Sequence, residues 1–180
     1  REGAAKDPVK GPEFLAIIEK HVDQLTNLVG DLLDLSALES RPGLGRCVRV
    51  DVRELIGKVV DLMRPAAEKK RQSLSVESAG EIPPVAGDRD YLERAVANLV
   101  DNAIKYTDPG GSIRVSLRTA EGRAVIEVSD TGIGIPVEDL PRIFERFYRV
   151  DKSRSREMGG TGLGLAIVKH VVQAHGGNVE

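Results

Sequence analysis

Two glycine-rich turns limit what this chain can be more than any other feature. They are Asp130-Thr131-Gly132-Ile133-Gly134-Ile135 and Gly159-Gly160-Thr161-Gly162-Leu163-Gly164-Leu165. Lacking a Cβ, glycine lets backbone N–H groups approach phosphate oxygens closely. The second turn runs into an apolar helical pattern, Leu163 to Val172, so its N–H groups fall at a helix N-terminus, where an anion is favoured. Between the turns, Phe144, Phe147 and Tyr148 stand beside Arg146, Arg149, Lys152, Arg154 and Arg156. That strip is too cationic for a core and suits a cover that carries positive charge over phosphates. One glycine cluster alone is most often only a loop. The pair points to a phosphate-bearing ligand.

A helical pattern from Asp88 to Tyr106 supplies the third part of the site. Asn98 and Asn102 lie four residues apart, on one face, and Lys105 is close to it. Asparagine is a poor interior helix former, so two facing one way need a reason other than helix propensity. Their amide oxygens are hard neutral ligands, suited to a Mg²⁺ that also holds phosphates and water. Lys105 could meet a phosphate as a point charge. Asp130 ends a strand pattern and could accept a hydrogen bond from an exocyclic amine such as that of adenine. Its other reading is a turn-initiating Asp.

Composition bounds the rest. A chain of 180 residues with 30% charged residues and a net charge of −2 builds one core, or one domain with a helical appendage. It carries no basic footprint for nucleic acid or an anionic membrane. The single cysteine, Cys47, excludes an internal disulfide framework and fits a cytoplasmic setting; it reads as a partly buried strand residue. No apolar run is long enough to span a bilayer, so any membrane link lies outside this chain.

The chain opens with a possible helix tail at 1–5 and a breaker-rich loop at 6–12. A long helix over 13–39 follows. Its Leu15, Ile18, Val22, Leu25, Val29 and Leu32 alternate by three and four, and Leu28, Leu33 and Leu35 widen the stripe, so this helix is expected to need a partner helix; the other reading is an amphipathic helix packed on its own domain. Residues 42–47 read as a linker. Val48, Val50 and Val52 predict a strand, 53–70 a helix, and Leu74 and Val76 a second strand. Pro83, Pro84 and Gly87 read as breaks before the helix at 88–106. Alternation through Ile113, Val115, Leu117 and Ala124, Ile126, Val128 predicts a hairpin joined at Glu121-Gly122. A last helix spans 162–175, and 178–180 resemble the start of a strand. Helices and a mostly antiparallel sheet in this order argue for an α+β sandwich.

The motifs together resemble the sensor histidine kinases of two-component systems. Asn98–Tyr106 looks like their N box, Asp130–Ile135 their G1 box, Phe144–Arg149 their F box and Gly159–Leu165 their G2 box. The resemblance covers 48–180, and the helix containing Asp31-Leu32-Leu33-Asp34-Leu35-Ser36 resembles the second helix of the family's dimerisation hairpin. It implies a Bergerat-type ATP-binding fold, a two-layer sandwich with helices on one face of a mixed sheet. By that resemblance Asn102 is the Mg²⁺ ligand, Asn98 faces the phosphates, and Lys105 and Arg149 contact them. Asp130 holds the adenine amino group and Tyr106 packs nearby. Gly132, Gly134, Ile135, Lys152, Gly160, Thr161, Gly162, Leu163 and Gly164 complete the pocket and its cover. The implied partners are a response-regulator receiver domain and, through the hairpin, a second copy of the full-length protein.

The family's phosphoacceptor box, a His followed by acid, Leu, Arg, Thr and Pro, is absent. His21, His170 and His175 have other neighbours, and His21 reads as a solvated helix residue. The expectation is therefore a partial hairpin over 1–41, cut after its first helix, and an ATP-binding domain lacking its last strands. Such a chain would bind Mg-ATP without phosphorylating itself. Two other readings remain. One is a clamp ATPase of the gyrase or Hsp90 type, which resembles this chain in fold but carries a glutamate base where Asn98 stands. The other is a nucleotide-sensing module that dimerises through helix 13–39.

Overall fold

The computed structural model describes residues 10–40, 46–151 and 160–180. In chain order these form α1 (Lys10–Ser40), β1 (Cys47–Val50), α2 (Val52–Lys69), β2 (Ser73–Ala79) and β3 (Val85–Asp88). Then come α3 (Arg89–Tyr106), β4 (Ser112–Ala120), β5 (Arg123–Asp130), a 3₁₀ turn at Leu140–Arg142 and α4 (Gly164–Ala174). The elements are those of an α+β sandwich, but the strands divide into two sheets. β1 and β3 pair antiparallel, while β2, β4 and β5 form a mixed sheet in that order, with β2 parallel to β4.

Local chemistry sets most boundaries. Asp51 caps α2, accepting from the N–H groups of Arg53 at 2.9 Å and Glu54 at 3.2 Å, so Val52 is the first helical residue rather than the end of a strand. Asp88 caps α3 in the same way, through Asp90 and Tyr91. α2 ends in a Schellman turn with Arg71 in the left-handed region, where Gln72 N–H bonds Ala67 O and Arg71 N–H bonds Glu68 O. The β4–β5 hairpin closes on Glu121-Gly122, both at positive φ, as a two-residue turn matching the strand twist requires.

Four expectations change. Gly11 and Pro12 lie inside the first turn of α1, where proline's missing N–H leaves no bond unmade; the rest of the expected 6–12 loop, except Lys10, lies outside the described residues, as does the helix tail at 1–5. Val85–Asp88, read as a break, is a strand, because its partner β1 is remote in sequence and gives no local signal. Gly87 belongs in it: a Cβ there would stand 2.5 Å from the His175 ring, whose Nε2 accepts from Asp88 N–H at 3.0 Å. Residues 178–180 form no strand, although Val179 packs on the core. Cys47 opens β1 but is exposed, not partly buried.

Two apolar clusters lie on different faces of α3. One joins Val96, Val100, Ala103 and Ile104 to α2 and to Ile113, Val115 and Leu117 of β4. The other joins Ala95 to Leu163, Ile167, Val168 and Val171 around α4, and to Leu35 of α1. Burying a Leu or Ile fully stabilises by about 1.5–3 kcal/mol, so Leu35, 1% exposed, is a substantial anchor for α1. The stripe expected to need a partner is uncovered. Leu15, Ile18, Val22, Leu25, Val29 and Leu32 are all at least half exposed, and so is Leu33, whereas Leu28 and Leu38 pack with Leu35.

Candidate functional site

The third face of α3 is polar, and it forms one wall of a cavity of 690 Å³. Asn98, Asp101, Asn102, Lys105 and Tyr106 line it from α3, and Asp130, Gly134 and Ile135 from the first turn. Phe144, Tyr148 and Arg149 line it from the intervening segment, and Gly160, Thr161, Gly162 and Gly164 from the second turn. Of the residues singled out in the sequence, these converge on one space. Lys152 lies outside the described residues.

The first turn is fixed by its own neighbours. Asp130 Oδ1 accepts from Gly132 N–H at 2.8 Å, Thr131 N–H bonds Ser112 O, and Ile133 N–H bonds Tyr106 O. Asp130 thus serves as the turn initiator, and its second carboxylate oxygen is not needed for that. Gly132 does not line the cavity. It lets the turn close on α3, for a Cβ there would stand 2.5 Å from Tyr106 O.

The second turn is held by other elements. Gly162 has φ +73°, and its carbonyl accepts from Phe147 N–H at 2.8 Å. Phe147 is itself at positive φ, an uncommon state for a bulky residue. Leu163, expected at the ligand, is fully buried in the second cluster; its N–H bonds Thr161 Oγ1 at 3.2 Å. Thr161 Oγ1 donates in turn to Asp31 Oδ2 of α1 at 2.9 Å. Asp31 Oδ1 accepts from Arg94 Nη2 at 3.2 Å. Asn27, Asp31 and Arg94 therefore border the same cavity, and sequence reading did not place them there. No signal could have, since Asp31 and Thr161 are 130 positions apart.

The charges are unevenly committed. Lys105 pairs with Asp101 at 2.6 Å, one helical turn back. Tyr148 donates to Asp139, a bond that holds its phenol above the usual range, and Arg142 stacks on its ring at 4.2 Å. Among the described residues, three buried nitrogens have no hydrogen-bond partner: Asn98 Nδ2 and Arg149 Nε and Nη2. A buried unmet donor costs about 1–3 kcal/mol, more when charged. These donors, two of them cationic, fit an anionic ligand lodged between the glycine turns. Among the described residues no cluster of three or more His, Cys, Asp or Glu could hold a metal alone. A divalent ion there would need oxygens from the ligand, with Asn102 contributing its amide.

A cavity walled by a polar helix face and two glycine turns, on an α+β sandwich, is the arrangement of a nucleotide-binding ATPase or kinase domain. The chain belongs to the histidine kinase-, DNA gyrase B- and HSP90-like ATPase family, whose profile matches residues 87–180. It is 40% identical over 177 residues to the sensor-like histidine kinase SenX3 of Mycolicibacterium smegmatis, across 98% of this chain and 46% of that protein. It is 36% identical to the sensor histidine kinase WalK of Bacillus subtilis, across 99% of this chain and 29% of that one. The chain thus spans less than half the length of these relatives. Among solved structures, full-length ShkA in complex with AMPPNP superposes with a TM-score of 0.78 at 29% identity, over 92% of this chain and 34% of that one. Among the described residues, no helix is long and apolar enough to cross a membrane.

Proposed function

We propose that this chain is the ATP-binding catalytic portion of a bacterial two-component sensor histidine kinase, acting in the cytoplasm. ATP supplies the γ-phosphoryl group; the acceptor is a histidine outside this chain, and an aspartate of a response-regulator receiver domain takes it next. Residues 48–180 form the ATP-binding domain in this reading. α1 is the second helix of a dimerising hairpin, which accounts for its uncovered apolar stripe.

The observation that carries the proposal is the set of unmet buried donors on Asn98 and Arg149, two residues that line a space bordered by both glycine turns. In this reading Asn98, Lys105 and Arg149 neutralise phosphate charge. Asn102 holds Mg²⁺. Asp130 orients the adenine amine, with Tyr106, Gly134 and Ile135 beside it, and Gly132 closing the turn behind. Thr161 and the N–H groups of Gly160, Gly162 and Gly164 cradle phosphate, with Leu163 anchoring the turn behind them and Lys152 assisting. Positioning and charge neutralisation are the main protein contributions to phosphoryl transfer. Asn98 is an amide and cannot take a proton from water at neutral pH, which sets this site apart from one that hydrolyses its nucleotide with a glutamate base.

Calorimetric titration with ATP, with and without Mg²⁺, tests the reading. Saturable one-to-one binding, tightened by Mg²⁺ and weakened at least about tenfold by Asp130→Asn, is expected. A folded sample that binds no ATP overturns it. Labelled ATP should leave no stable phosphohistidine on the chain, since its own histidines lie outside the cavity lining.

A further inference from the structure

Among the described residues, Asp31 is the acidic residue of α1 that reaches the cavity. Its carboxylate is 16% exposed and contacts Thr161 Oγ1 at 2.9 Å and Arg94 Nη2 at 3.2 Å. Leu35, one turn further along α1, is buried in the cluster around α4. The helix is therefore docked by an apolar anchor, and the docking brings a negative charge to the glycine turn. Thr161 also receives Leu163 N–H, so the carboxylate, the hydroxyl and the start of α4 form one chain of hydrogen bonds.

Resting on the nucleotide reading of this cavity, we propose that Asp31 is a positioning residue that makes α1 docking and triphosphate binding oppose one another. A phosphate group at the Gly160–Gly164 turn needs the donors that Asp31 now uses, Thr161 Oγ1 and Arg94 Nη2. It also brings like charge close to a carboxylate in a partly water-excluded site, where repulsion is screened less than at the open surface. The conflict grows with the number of phosphates and disappears for a ligand that has none. Linkage makes the effect reciprocal: what weakens the α1 contact raises triphosphate affinity, and triphosphate loosens α1 by the same factor. Asp31 touches neither adenine nor metal in this scheme. It acts through Thr161.

The test compares the unaltered chain with Asp31→Asn, which keeps an oxygen to accept from Thr161 and removes only the charge. Adenosine, ADP and AMPPNP are titrated into each by calorimetry. Asp31→Asn should tighten AMPPNP about five- to tenfold, ADP less, and adenosine by less than about twofold. In the unaltered chain AMPPNP should speed amide exchange across residues 27–35, and adenosine should not. Leu35→Ala, which frees α1 without touching the charge, should also tighten AMPPNP. An equal gain for all three ligands overturns the proposal, as does a loss for AMPPNP or exchange in 27–35 that is indifferent to phosphates. If neither chain binds any of the three, the nucleotide reading itself falls; if all bind with affinities unchanged by Asp31→Asn, that reading stands and only the opposition falls.

Discussion

The two glycine turns look alike in sequence and are built in opposite ways. The first is tied to the strand and helix that flank it: Thr131 to Ser112, Ile133 to Tyr106, Gly132 to Asp130. The second takes its hold from elsewhere, Gly162 from Phe147 and Thr161 from Asp31. One is a fixed wall whose shape follows once the hairpin and α3 are formed. The other is a joint, and its shape follows from where α1 and the 144–151 segment lie. In the proposed reading, a site that holds adenine steadily and yet responds to its surroundings can divide the two duties in this manner.

The comparison can be broken at several points. Leu35→Ala should have the largest effect, about 3 kcal/mol, because Leu35 is almost wholly buried between α1 and α4. Amide exchange should then rise at residues 160–163 and stay unchanged at 130–135; equal rises in both turns would erase the distinction. Gly132→Ala should come next, costing about 2–3 kcal/mol in thermal unfolding, since its Cβ would press on backbone at Tyr106 O and that backbone cannot yield cheaply. Gly162→Ala should cost less, about 1–2 kcal/mol for the left-handed conformation, because its Cβ would stand 3.0 Å from Phe147 backbone, farther off than the 2.5 Å approach to Tyr106 O at Gly132. A larger loss at Gly162 than at Gly132 would make the second turn the rigid one.

Tyr148→Phe should have the smallest effect, and a pH-dependent one. The bond to Asp139 raises the phenol above its usual value near 10, so the folded state binds that proton more tightly than the unfolded chain. The bond's stabilisation is complete below about pH 10 and is lost as pH rises through the folded value. The difference in Tm between Tyr148→Phe and the parent should shrink above that pH. A difference constant up to pH 11 would mean that the hydroxyl contributes nothing through this bond.

How much of this was legible in the sequence depends on the range of the interaction. The hairpin and the grouping of Asn98, Asn102 and Lys105 follow from spacing within one element, and each lies where the pattern put it. β3 was invisible because a short strand containing Gly87 has no alternation of its own and exists through its ladder with β1. The α1 stripe was legible as an apolar face, but which part of it meets α4 was not: Leu28, Leu35 and Leu38 turn inward while the regular heptad positions stay in water. Asp31 and Arg94 carried no signal at all, since their importance is created by the docking of elements remote in sequence.

The end of α3 holds one more consequence. Lys70 Nζ bonds Ile104 O at 2.7 Å, Lys105 O at 2.9 Å and Thr107 O at 3.3 Å, and Gln72 Nε2 adds bonds to two of the same carbonyls. An ammonium has three protons, and here all three are engaged. To an amine-reactive reagent Lys70 should be a slow lysine, modified only when the helix end lets go, while Lys58, 60% exposed, reacts freely. Its rate of labelling is a clock for how often the helix that carries the candidate site comes loose at its C-terminal end.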